Sequence, residues 1–488
     1  MELEKYFESF RKNTIGYHQH FTTPFGEKRI VYADWTASGR LYGPIEKIIA
    51  EDFGPFVGNT HTETTVTGST MTIAFHKALE IIKKHVNASH EDAILATGSG
   101  MTGAINKFQR ILGLRVHEDH KDKLKIPEAD RPVVFITHME HHSNQTNWLE
   151  SLATLEIIRP LNGLPDLAHL KELLDKYSDR KTKIASITAC SNVTGIVTPY
   201  HEIAEIMHEH DGCCFVDFAC SGPYVKIDMH PENPKQTLDA VFFSPHKFLG
   251  GPGTPGIIVF NRKFYHNRVP DNPGGGTVTW TNPWGEHQYF SDIEVREAGG
   301  TPPFLQTIKA ALAVKLKEEM GIERMLQREG ELLERIFSRM CTIPGLEILE
   351  KNIKRRLGVI SFYFKDLHYN LTVKMLNDRY GIQMRGGCSC AGTYGHVLLD
   401  IPEKMSQQIT CRIDEGDLSA KPGWVRLSIH PTMTNDDVDY ILGALEELAR
   451  NHKEWAKEYT YNPLSNEFDY NQKGIDIHDH VERIFSEL

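Results

Sequence analysis

At 488 residues, with 40% hydrophobic and 24% charged residues, the chain has material for two domains sharing an interface rather than one small core. Its net charge of −11, with no long Lys/Arg run, excludes general nucleic-acid binding. No stretch reaches 18 apolar residues, and the start, MELEKYFESFRKN, lacks an apolar signal core, so a cytoplasmic protein with no membrane partner is expected.

Residues 1–30 read as a helix and a polar connector, and 31–35 as a short strand ending in the turn-rich Thr36-Ala37-Ser38-Gly39-Arg40. An amphipathic helix is predicted over 71–86. Residues 93–97 form a buried-strand run, followed by Gly98-Ser99-Gly100-Met101-Thr102-Gly103 and by apolar residues at 101, 104, 105, 108, 111 and 112 on one helix face. Strand, glycine turn and helix start together aim backbone N–H groups at an anion. The spacing is also G-x-G-x-x-G with Glu118 twenty residues past Gly98, the pattern of a dinucleotide site in an NAD-dependent oxidoreductase. That site needs a second strand where this chain has the polar run 115–125, which favours a phosphate turn.

Strands are then predicted at 133–138, 184–190, 213–219, 240–243 and 256–260, with helices near 167–176 and 201–210. Such alternation indicates an α/β fold, a mostly parallel sheet with helices on both faces, and places functional residues at the strands' carboxyl ends. A composition shift begins at Pro270, where Pro273-Gly274-Gly275-Gly276-Thr277 opens a long loop reaching Phe290. Residues 304–340 read as helix broken near Gly321, and 359–364 as a strand. Thr434 and Asp437 frame a capping box opening a helix. Residues 402–422 read as an irregular insertion, and 462–488 as a polar tail ending in a short helix. The eight cysteines are too sparse for a disulfide framework, which leaves Cys388-Ser389-Cys390 as the spacing to follow.

Five strand-end positions invite comparison: the Gly98–Thr102 turn with Gly100, Met101 and Thr102, His138 to Asn144, Ser191 to Gly195, Asp217, and Ser244/His246/Lys247. Singly each has an ordinary explanation, clustered histidines as loop polarity, Asn192 as a turn former, and Asp217 as a hydrogen-bonded buried acid. Together they meet the needs of pyridoxal 5'-phosphate (PLP). Its ring nitrogen needs an acid, its face a flat group, its hydroxyl a donor, its phosphate N–H groups, and its aldehyde a lysine. Asp217, His141, Asn192, the Met101–Thr102 turn and Lys247 supply these in turn, with Ser244 and His246 beside the phosphate. No metal is expected, since the histidines do not form H-E-x-x-H and Cys388, Cys390 and His396 lack an evident fourth ligand.

The ordered motifs VYADWTASG, ATGSGMTGAIN, MEHHSN, NVTG, VDFACS, SPHK, EAGGTP, RGGCSCAG and VRLS resemble those of class V PLP-dependent aminotransferase-fold proteins, in the cysteine desulfurase and selenocysteine lyase group. The resemblance runs from about residue 31 to 448. It implies a PLP-dependent transferase of fold type I, with a large PLP-binding domain (31–300), a smaller α+β domain from the two ends (1–30 and 301–461) and a tail (462–488). It further implies a homodimer in which Thr277 reaches the neighbouring subunit's phosphate, an amino-acid substrate held by Arg385 and Arg426, and a protein acceptor for sulfur. The family's catalytic cysteine falls on Cys390, beside Lys247 and His141 as catalytic residues. Cys220 stands where the family usually has Gln or His near the ring hydroxyl, and the loop CSCAGTYGH departs from the usual desulfurase form. Other PLP chemistries with Cys390 uninvolved (transamination, elimination, epimerisation) stay open, as does a catalytically silent scaffold.

Overall fold

A computed structural model describes every residue except Met1, His61, Asp122, Lys473, Ile475, Asp476 and Leu488. Its central sheet has seven strands: β1 (Asp92–Thr97), β2 (Val133–Thr137), β3 (Thr154–Ile158), β4 (Lys183–Thr188), β5 (Cys213–Asp217), β6 (Ala240–Phe243) and β7 (Gly256–Asn261). They lie in the order β1-β7-β6-β5-β4-β2-β3. Strands β2 to β6 pair in parallel, while β7 is antiparallel to both β6 and β1. The antiparallel return lets β6 and β7 be joined by a loop alone, with no crossover helix, and that loop carries Lys247.

Strands such as VVFIT, CCFVD and AVFF are buried at every position, as a sheet covered on both faces requires. The period-two alternation sorts their side chains. Phe215, Phe242 and Phe260 pack under α2 (Met101–Ile111) around Phe108. Val216, Val241 and Val259 face α1 (Val66–His85) and α6 (Phe304–Met320), together with helices α4 (Leu167–Lys176) and α5 (Tyr200–Glu209). Helix α3 (His142–Leu149) follows β2 directly.

A second, antiparallel sheet holds β8 (Leu346–Ile348), β9 (Val359–Phe364), β10 (Arg385–Gly387) and β11 (Trp424–Ser428), in the order β8-β9-β11-β10. The helices around it are α7 (Ile322–Met340), α8 (Tyr369–Tyr380), α9 (Gly392–Leu398) and α11 (Asn435–Trp455). Helix α11 opens with the predicted capping box of Thr434 and Asp437. Gly321, with φ +76°, breaks α6 from α7. Val31–Tyr32 pairs in parallel with Ile382–Gln383, so the N-terminal segment is layered onto the C-terminal sheet before the chain enters the large one.

Several segments differ from the sequence reading, among them the edge strand β3 and an N-terminal hairpin, His20–Thr23 with Gly26–Arg29, inside the expected polar connector. Residues 402–422 are not irregular: α10 (Glu403–Asp414) forms there with no buried residue, its short apolar stripe of Met405, Ile409 and Ile413 set among polar residues. The tail contains a hairpin, Tyr459–Asn462 with Glu467–Tyr470, before α12 (Ile477–Ser486). The loop from Pro270 holds a short hairpin, Val278–Thr281 with His287–Tyr289. Among the described residues no helix is long and apolar enough to cross a membrane.

Candidate active site

A cavity of about 270 Å³ opens at the carboxyl ends of the central strands, where a parallel sheet collects loops. Gly100, Met101, Thr102, His141, Asn192, Asp217, Cys220, Ser244, His246, Lys247, Arg385 and Arg426 all line it. Residues from Thr36 to Arg426 thus meet in one pocket. Two predicted site residues do not join the lining. Thr277 is buried elsewhere, its hydroxyl donating to the Gly274 carbonyl at 2.6 Å. Cys390 is exposed on its loop, and its neighbour Ser389 borders the cavity instead.

Lys247 ends the short 3-10 turn Pro245–Lys247, with its N–H donating to Ser244 O at 3.0 Å. No hydrogen bond or ion pair among the described residues holds its Nζ. Burial pushes its pKa below the usual lysine value, against the opposing pull of Cys220 and Asp217. Asp217 closes β5 with a carboxylate that accepts from Ala219 N at 2.7 Å. Burial raises its pKa to about 6. His141 caps α3, its Nδ1 accepting from Ser143 N at 3.1 Å. Burial, then the nearby Lys247 charge, lowers its pKa to about 3. The ring is therefore neutral at ordinary pH, with Nδ1 as acceptor and the proton on Nε2.

The predicted phosphate turn has its strand, glycines and helix start in place. Met101 N donates to Ser244 Oγ at 2.8 Å, and Thr102 Oγ1 lies 2.6 Å from Ser143 Oγ. A Cβ on Gly256 would stand 2.0 Å from Gly100 O, so only glycine lets β7 pass this close to the turn. The dinucleotide alternative fails on topology: β1 is a sheet-edge strand whose neighbour β7 is antiparallel, and Glu118 sits exposed on a short helix. A dinucleotide fold needs a parallel β-α-β unit at this turn.

The three neighbouring histidines diverge instead of forming a metal site. His138 is buried edge-on to Tyr394, His141 faces the cavity, and His142 turns to the cysteine loop. There His142 N donates to Cys390 O at 2.7 Å, and Gly392 N donates to His142 Nε2 at 2.9 Å. Gln145 and Thr393 exchange two further bonds at 2.7 and 2.9 Å. Asn192 lines the cavity, yet its Nδ2 donates to Ser389 O at 2.7 Å. These contacts hold Ser389 and Cys390 at φ +51° and +57°, left-handed conformations that non-glycine residues adopt only when their surroundings over-determine them.

Sequence reasoning gave no role to Asp34 or Glu140. Asp34 sits 2.7 Å from the Arg426 Nη2 and 3.9 Å from the Arg385 Nε, so both candidate substrate-binding arginines share one carboxylate. Glu140 accepts from Thr137 Oγ1 (2.6 Å), Thr188 N (3.0 Å) and Asn144 Nδ2 (2.8 Å), tying the ends of β2 and β4 to α3 behind His141. Burial raises its pKa to about 7. Both residues lie inside motifs already legible, VYADW and MEHHSN, but the identity of their partners depends on tertiary approach.

Comparison with known proteins follows the same lines. A probable cysteine desulfurase from Staphylococcus epidermidis is 32% identical over 370 residues, covering 75% of this chain and 84% of the relative. One from Staphylococcus aureus is 30% identical over 368 residues, with coverage of 75% and 84%. The apo structure of a cysteine desulfurase from Thermococcus onnurineus NA1 superposes with a TM-score of 0.71 at 21% identity, covering 91% of this chain and 98% of the other. An Escherichia coli cysteine desulfurase gives 0.68 at 20% identity, covering 86% and 95%. These likenesses establish the fold type I architecture. The Aminotransferase class-V family model matches residues 31–441, and the chain belongs to that family.

Proposed function

We propose that this chain is a PLP-dependent enzyme that removes sulfur or selenium from cysteine or selenocysteine, with Cys390 receiving the chalcogen. The observation that carries the reading is the convergence of Lys247, Asp217 and His141 on one cavity beside the loop of Cys390. The residues fit the cofactor: Asp217 is a buried acid with room for a cationic partner, Lys247 has an uncommitted amine, and the α2 N-terminus with Ser244 forms an anion cradle. When bound, PLP supplies an electron-withdrawing ring that loosens bonds at an amino acid's α-carbon. Asp217 would hold the ring nitrogen's charge, and the neutral His141 would lie against the ring. Lys247 would bind the aldehyde and carry the α-proton. Arg385 and Arg426 would take the substrate carboxylate by charge-assisted bonds, with Asp34 as the competing anion. The Cys390 thiolate would attack the substrate's sulfur, leaving alanine and a persulfide on the enzyme.

The same reading makes the protein a cytoplasmic homodimer that passes sulfur to an acceptor protein, with Thr277 of each subunit serving the other's phosphate. It divides the chain into the large domain 31–300, the small domain from its two ends, and the tail. A second reading, another class V reaction without a cysteine nucleophile, is favoured by the place of Cys390 outside the cavity lining. Incubation with L-cysteine and dithiothreitol, which reduces an enzyme persulfide to thiol and sulfide, decides between them. The expected result is alanine and sulfide in equal amounts from the wild type and from Cys388→Ser, but not from Cys390→Ser or Lys247→Ala. Lys247→Ala should also lose the visible absorbance of the bound cofactor. Full desulfuration by Cys390→Ser would transfer the case to the second reading.

A further inference from the structure

Cys190 and Cys220 follow the neighbouring strands β4 and β5, and both border the cavity. Their Sγ atoms are 4.0 Å apart, and neither is in a disulfide. Cys190 Sγ lies 3.1 Å from Gly195 O and 3.6 Å from Ser191 O, and Cys220 Sγ lies 3.7 Å from the same Ser191 carbonyl. Cys190 is fully buried and Cys220 is 5% exposed, so only a small molecule entering the cavity reaches them. Contact with Cys190, then the charges of Lys247 and Arg426, lowers the Cys220 pKa, while burial raises that of Cys190. Cys220, the less buried thiol, which borders the cavity with Lys247 and Arg426, is placed to attack, and the fully buried Cys190 to resolve.

We propose that Cys190 and Cys220 form a reversible dithiol–disulfide pair, a modification site in the cavity wall that small peroxides oxidise. The Cys220 thiolate attacks one oxygen of hydrogen peroxide, the O–O bond breaks, and hydroxide leaves, giving a sulfenic acid. The Cys190 sulfur then attacks the sulfenic sulfur and the S–O bond breaks. The departing hydroxide takes the Cys190 proton as water. Two thiols lose two electrons, peroxide gains them, and the products are one disulfide and two waters. Side-chain rotation must close the gap to a bond of about 2.05 Å, and a dithiol reductant reverses the step.

The test is chemical and does not depend on the reaction proposed above. The purified full chain is exposed to hydrogen peroxide, blocked with N-ethylmaleimide in denaturant, and digested without reductant for mass spectrometry. The expected product is a peptide pair joined through Cys190 and Cys220, two hydrogens lighter than the separate peptides. It should be lost completely on dithiothreitol treatment and absent from Cys220→Ser. Recovery of both cysteines as maleimide adducts while the exposed Cys390 and Cys411 oxidise would overturn the proposal. So would Cys220 found as an unlinked sulfinic acid. Because the wild-type chain itself supplies the readout, poor folding of a variant does not blunt the test.

Discussion

Asp217 is placed where burial makes a carboxylate costly to keep charged. Its pKa rises from 3.8 to about 6 on burial, so the native state binds the proton more tightly than the unfolded state. The sign follows: stability from this group is fully present below pH 3.8 and is lost as pH rises through about 6. Above that pH the buried charge costs the cofactor-free chain about 3 kcal/mol. Asp217→Asn should therefore make the cofactor-free protein more stable by about that amount at pH 8 and by little at pH 4, while weakening cofactor binding. Urea denaturation at the two pH values, with absorbance titration of PLP, checks both halves. Equal stabilisation at both pH values would locate the effect outside the carboxylate's charge. Lys247 and Asp217 were legible in the sequence only in company with the phosphate turn, His141 and Asn192, since each alone has an ordinary explanation. The pairing of Asn192 with Ser389, 197 residues away, and of Arg426 with Asp34 was not, because no local pattern encodes a contact between distant strand ends.

At the scale of elements, the first turn of α3 acts on the cysteine loop as a clamp. His142 contributes both a donor and an acceptor to it, and the strained pair Ser389–Cys390 lies between those two bonds and the bond from Asn192. Each left-handed non-glycine residue costs about 1–3 kcal/mol, so the loop should relax once an anchor is lost. His142→Ala removes the acceptor for Gly392 N but keeps the backbone donor to Cys390. The expected outcome is a several-fold change in the rate at which iodoacetamide alkylates Cys390, with Lys247 and the cavity's cofactor absorbance unaffected. His142→Gln, whose amide oxygen can accept the same bond, should restore part of the wild-type rate. Unchanged alkylation in His142→Ala would assign the loop's shape to α9 and Asn192 alone. The strand and helix sequence of the central layer could be read because its apolar runs are long and both faces are covered. The edge strand β3 escaped because one edge strand with half-buried residues lacks that continuous run, and α10 because its side chains are all at least partly exposed.

The chain's two ends meet around α8. The N-terminal hairpin, His20–Thr23 with Gly26–Arg29, presents Phe25 to Tyr470 at 5.3 Å between ring centroids, and the Arg379 guanidinium lies over both Phe25 (4.1 Å) and Trp455 (4.2 Å). The tail hairpin locks on from the other side: Asn370 Nδ2 donates to Asn466 O at 2.5 Å, and the buried Asn466 donates to Tyr369 Oη at 2.8 Å. Helix α8 in turn packs on β10 and β11, which carry Arg385 and Arg426 into the cavity. Helix α12 makes no comparable commitment, since Ile477, Ile484 and Phe485 are largely exposed. A chain ending after Gln472 should thus unfold within about a degree of the full chain, since exposed segments contribute little. A chain ending after Glu458 leaves Asn370 Nδ2 without its acceptor, removes the Asn466 donor from Tyr369 Oη, which keeps only its bond to Lys421 O at 3.1 Å, and uncovers the rings packed on the hairpin. That loss of buried apolar and hydrogen-bonded contact should lower the thermal midpoint by several degrees, and raise KM for the amino acid more than it lowers kcat, because the arginines move while Lys247 does not. Thermal melts of both truncations with steady-state kinetics separate the two outcomes, and equal behaviour of the two chains would show that the hairpin only decorates the surface it covers.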